Sequence, residues 1–225
     1  MSIVRRNPNF TAGVSNFLLD QVSKGKAGED IQRQYGQGNI EFIDMSFKVR
    51  FKLGAIAASS NATVNIIDTT LARTEGRTDL HQGILPGKMA FAIGAIRLAY
   101  AETAGLPETG VYRSRKYAFN VSAAAGEQAQ FVPALLQNSR FELWQGSRRL
   151  INEQVESFFA DTNQITEGGH LLDCLALDNP KLLMPDEVMA GIIIPPISGV
   201  SLSADACIEM KIIGTSAQLR KTSAV

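Results

Sequence analysis

The chain has 225 residues, 45% of them hydrophobic and 20% charged, enough to bury one large all-β domain or two small ones and too apolar for disorder throughout. Its 22 basic and 22 acidic residues cancel, which argues against a dedicated nucleic-acid binder, since that class carries a clear basic excess. Zero net charge also weakens self-repulsion and permits packing against copies of itself.

Residues 1–39 read as an N-terminal helical arm and linker. Phe10, Val14, Phe17, Leu18 and Val22 recur at helical spacing, which predicts an amphipathic helix from Thr11 to about Val22, started by Asn7-Pro8 or Thr11. Gly25 and Gly28 should break it, and Gly36-Gln37-Gly38 should close the segment. Two placements are open: a helix on the flank of its own domain, or an arm docked on a neighbouring subunit or inner surface. The glycine tether favours the second, with Phe10, Val14, Phe17, Leu18 and Val22 as the contact stripe.

From Ile40 the text becomes strand-like. Met45 to Leu53 alternates apolar and polar without error, so Met45, Phe47, Val49, Phe51 and Leu53 should face a core while Lys48, Arg50 and Lys52 face solvent or a partner. A second strand is expected over 62–67, then a polar loop over 69–82. Met89 to Ala101 is rich in alanine, but Gly94 disfavours a helix interior and Phe91, Ile93, Ala95, Arg97 and Ala99 share one strand face, so it reads as strand. Another strand should run through Tyr117, Phe119 and Val121, and one short helical turn should fall within 130–137. Phe141 to Trp144 and Leu150-Ile151 form a hairpin about Gly146. Residues 152–160 fit either strand or helix. Final strands are expected at 171–177, 187–194 and 204–213, separated by Asn179-Pro180, Met184-Pro185-Asp186 and Ser198-Gly199, before a polar tail over 215–225. With no βαβ rhythm, about eight to ten strands over 40–214 imply an antiparallel β-sandwich or jelly roll.

Reactive chemistry is sparse. His81 and His170 are the only histidines, and they do not supply the ligand cluster of a jelly-roll metal enzyme. Cys174 and Cys207 lie in apolar runs without metal spacing, and are expected as reduced core residues, with a disulfide as the alternative. Gly36-Gln37-Gly38 and Gly25-Lys26-Ala27-Gly28 lack the remaining residues of dinucleotide and phosphate loops and read as hinges. No catalytic, metal or cofactor residue is therefore expected. Arg5 and Arg6, at a flexible end, are candidates for a weak nucleic-acid contact. Arg113, Arg115 and Lys116, flanked by Tyr112 and Tyr117, read as a solvated loop or inter-subunit ion pairs, and Trp144 as core or interface. The amino terminus lacks a signal-peptide pattern and the apolar runs are too short to span a bilayer, so a soluble protein made in a cytoplasm is expected.

Gly87 to Leu98 is a strand after a Pro-Gly loop, Asn138 to Leu150 a hairpin with a glycine bend, and Asn179 to Pro185, Ile194-Pro195-Pro196 and Ile208 to Gly214 closing strands. In this rhythm the region from about Ile40 to Gly214 resembles the small jelly-roll capsid proteins of icosahedral bacteriophages. The resemblance implies a virion protein that self-assembles into a shell around the genome, without catalysis or cofactor. Its partners would be copies of itself in trimers or larger capsomers, other virion proteins, and packaged nucleic acid or an internal membrane. A spike, tail or baseplate subunit and a carbohydrate- or ligand-binding β-sandwich module are the alternatives.

Overall fold

A computed structural model describes residues 8–54, 63–114, 117–118, 129–130, 132–159, 174–196 and 202–220. Helices α1 (Pro8–Ser23) and α2 (Glu29–Gly36) lead into strand β1 (Ile40–Lys52), followed by β2 (Val64–Asn65) and β3 (Ala90–Glu102). A short pair, β4 (Tyr117–Ala118) and β5 (Ala129–Gln130), stands apart before the one-turn α3 (Ala134–Gln137). Strands β6 (Arg140–Gln145), β7 (Arg148–Gln154), β8 (Leu175–Leu183), β9 (Met189–Ile194) and β10 (Ala206–Leu219) complete the fold.

The two main sheets are four-stranded, ordered β1-β10-β3-β8 and β2-β9-β6-β7, with every pairing antiparallel. Taken in chain order, the strands of the two main sheets alternate between them except at the β6–β7 hairpin, and β1 and β10 lie side by side. This is the Greek-key winding of a jelly roll, an antiparallel β-sandwich. The space between the sheets is filled by side chains: Phe47 packs edge-on against Phe91 and Phe141 against Phe158, and Ile96, Tyr100 and Met210 close the core around them. Gln145 ties the sheets' margins together. Its side-chain amide donates to the Met184 carbonyl and accepts from the Met184 N–H, both at 2.8 Å, imitating a strand pair.

The outer face of the first sheet is divided in two. At one end α1 and α2 cover it, burying Val14, Leu18, Val22, Ala27 and Ile31 against Ile40, Ala90, Ala92 and Ala217. The three alanines let the helix approach closely. The other end carries charge. A bulge joins the halves: the β3–β10 register skips Gly94 between Ile93 and Ala95, which reverses the inside–outside parity of β3. Gly214 lies opposite it, where a Cβ would fall on the Ala92 carbonyl oxygen, so only glycine fits.

The bulge corrects one expected face. Phe91 and Ile93 point inward, whereas Arg97 lies on the outer face beside Glu209. Asn179-Pro180, expected between strands, sits inside β8, where the pairing jumps from Ile93↔Lys181 to Ala95↔Ala176. An edge strand tolerates a proline and the residues it loops out. β10 continues to Leu219 rather than yielding to a tail at 215, because Ile40–Asp44 of β1 stays paired with it. Of residues 152–160, the described ones, 152–159, form the end of β7 and a 3-10 turn at Val155–Phe158. Helix α2 was not anticipated. The strand expected through Phe119 and Val121 falls outside the described residues except at 117–118.

Candidate functional site

The half of the first sheet's outer face that α1 and α2 leave uncovered forms, among the described residues, a groove of about 390 Å³. Its floor comes from the outward residues of three adjacent strands. Lys48 of β1 lies opposite Lys211 of β10, which lies opposite Arg97 of β3, so three cations stand in one cross-strand row. The next row holds Arg50 opposite Glu209. Like charges directly opposed in a sheet repel.

Glu209 relieves part of that repulsion. Its side chain is 4% exposed and bridges both guanidiniums: Arg50 Nε donates to one oxygen and Arg97 Nη2 to the other, each at 2.7 Å. Arg50 is fixed further by the Glu108 carbonyl at 3.1 Å and by the Tyr112 ring, 4.6 Å from its guanidinium carbon. Arg97 Nε is buried without a hydrogen-bond partner. Lys52 extends the basic side of β1 and pairs with Asp205 at 3.5 Å.

Two loops wall the floor. In the 74–84 loop, Asp79 accepts from the Lys48 N–H through its carboxylate and donates its own N–H to the Lys48 carbonyl, at 2.8 and 2.9 Å. The Arg50 N–H donates to the Arg77 carbonyl at 2.7 Å, so this loop occupies the free edge of β1. On the opposite side Tyr112 donates its hydroxyl to the Pro107 carbonyl at 2.7 Å. Burial raises the Tyr112 phenol above its ordinary range, aided by the adjoining Cys207 and opposed by Arg50. Burial likewise pushes the Cys207 thiol up, against the pull of Lys52. The charged lining is four basic and two acidic side chains, a local excess of two positive charges on a chain with none overall.

The candidates from sequence go elsewhere. Val14, Leu18 and Val22 are at most 2% exposed beneath α1, and Phe17 packs beside them, so this stripe is taken up by the chain's own sheet instead of being presented to a neighbour. The physical reason is the alanine-lined face, which would otherwise be bare. The Phe10 side chain, Arg5, Arg6, Arg115, Lys116 and His170 lie outside the described residues. Arg113 pairs through its backbone with Tyr100, and His81 is exposed in a turn closed by Ile84. Trp144 is half-buried, donates to Glu142 at 2.8 Å and has Arg149 5.7 Å from its ring centre. Cys174 and Cys207 are not joined in a disulfide, and only Cys207 is buried. Among the described residues no group of three or more His, Cys, Asp and Glu side chains could hold a metal ion, and no helix is long and apolar enough to cross a membrane. Sequence reasoning identified Lys48 and Arg50 as outward-facing but did not join them to Arg97 and Lys211, which only the strand register brings alongside. No protein-family model, curated protein or solved structure matches the chain.

Proposed function

We propose that the chain is a virion structural protein, a capsid subunit that self-assembles into an icosahedral shell. The observation that carries this reading is the jelly-roll strand order of its two sheets, a winding that capsid subunits share with lectins and cupins. Among the described residues the space between the sheets is packed with side chains, which favours the structural use of that winding over the ligand-holding one. Phe47, Phe91, Phe141, Phe158 and Met210, each at most 2% exposed, occupy the space where a ligand-binding jelly roll would keep a cavity. Contact surface is offered by the 103–114 loop, where Leu106 and Val111 are 60% and 76% exposed. One edge of each sheet is short or capped, which discourages strand pairing there and leaves contact to the loops: β2 has two residues and the edge of β1 is occupied.

Light scattering and negative-stain microscopy of the full-length protein test the proposal. Shells, or capsomers of three or more copies that build up with concentration, are the expected result. A species that stays monomeric at high concentration and in low and high salt overturns it.

A further inference from the structure

The 103–114 loop leaves apolar side chains in water on a backbone that is held firmly. Its ends are pinned to the first sheet: Thr103 donates its N–H to the Asp205 carbonyl at 2.9 Å, and Arg113 exchanges backbone hydrogen bonds with Tyr100 at 2.8 and 2.9 Å. Between them a 3-10 turn at Pro107–Thr109 is closed by the Thr109 hydroxyl, which donates to the Leu106 carbonyl at 2.8 Å. The Tyr112 hydroxyl and the Arg50 guanidinium donate to the Pro107 and Glu108 carbonyls. Leu106 and Val111 lie on either side of this turn in the chain, both strongly exposed. A contact made by so fixed a loop loses little conformational freedom on binding. We propose that the tip of this loop, residues 104–111, meets its own counterpart on other copies of the chain around a symmetry axis.

Charge selects a copy of the same chain as the partner. Close to a symmetry axis each residue faces its own image, so a charged residue there meets a like charge. The exposed residues of 104–111 are Ala104, Gly105, Leu106, Thr109 and Val111, none of them charged. Glu108 is the single charged residue in the segment; it is half-buried, and one of its carboxylate oxygens is enclosed. An unlike partner imposes no such restriction and gains specificity from opposed charges. In a chain with 20% charged residues, a charge-free tip carrying two branched aliphatic side chains therefore suits self-contact. The contact rests on the self-assembly proposed above, to which it adds a surface and a symmetry.

Crosslinking of the full-length protein tests the symmetry directly. In a Cys174→Ser background, where Cys207 is buried, a short bismaleimide should join Val111→Cys copy to copy under conditions in which the protein associates. Glu29→Cys, on the exposed first turn of α2, should not be joined. By light scattering, the Leu106→Ser/Val111→Ser double variant should need a concentration about tenfold higher or more to associate, while melting at the wild-type temperature. In protein that associates, equal crosslinking at positions 29 and 111, or none at 111, would overturn the symmetric contact in favour of another surface. Undiminished association of the double variant would overturn the loop's part in it. A wild-type chain that stays monomeric would instead overturn the self-assembly on which the contact rests, so the two failures are told apart.

Discussion

Phe47 and Phe51 occupy equivalent positions in an alternating run, yet they are not equivalent in the folded chain. Phe47 is 2% exposed and packs on Phe91, whereas Phe51 is only partly buried at the margin of the same cluster. Phe47→Ala should cost about 3–5 kcal/mol and Phe51→Ala distinctly less, because a cavity at the margin can be shared with solvent. Lys48→Ala should cost under about 0.5 kcal/mol. Thermal or urea unfolding of the three variants checks that order, and equal losses for the two phenylalanines would refute it. The two thiols divide in the same way. Burial raises the Cys207 thiol, so near neutral pH it remains the unreactive, protonated form, while Cys174 is half-exposed. Iodoacetamide followed by mass spectrometry should label Cys174 first and Cys207 only on unfolding; simultaneous labelling would show that the region around Tyr112 opens.

At the level of elements, α1 is the part whose role depends most on what it covers. Removing residues 1–38 would bare Ala90, Ala92, Ala217 and Phe42 together, an apolar strip on an otherwise polar face. The truncated protein should therefore melt lower and precipitate on concentration. A truncation as soluble and stable as the full chain would show that the helix contributes little to its own domain. The elements also show why reading the sequence reached some features and not others. β1 was legible because one of its faces is buried and the other wet, which imprints a period of two on its residues. α1 was legible for the parallel reason, at a helical period. α2 left almost no imprint, since of its eight residues only Ile31 is buried. The faces of β3 were misread because a bulge shifts parity without leaving any mark but a glycine. β8 was cut at a proline that an edge strand can accommodate. The groove was invisible for a different cause: residues 48, 97 and 211 become neighbours only through pairings between strands far apart in the chain.

For the whole molecule, charge is segregated where it is not in excess. The neutral chain carries a positive groove at one end of the first sheet's outer face, helices over the other end, and ion-paired hairpin residues Arg148 and Arg149 on the second sheet. Composition alone averages these regions to zero and so conceals a local field able to act over roughly a Debye length of 10 Å. The position of β10 has a consequence for how the protein comes into being. It lies between β1 and β3, bonded to Ile40–Lys52 on one side and to most of Ala90–Glu102 on the other. While the chain emerges from a ribosome, the first sheet lacks its middle, and β1 and β3 expose unpaired backbone until β10 has been made. Folding must then bring β10 back beside strands made long before it, which makes it slow and leaves nascent chains open to mispairing with one another. A chain in that state gains from a covering for that interval. Helix α1, synthesised before the strands and shaped to lie over Ala90 and Ala92, is available throughout to shield the outer face of β3 as it waits.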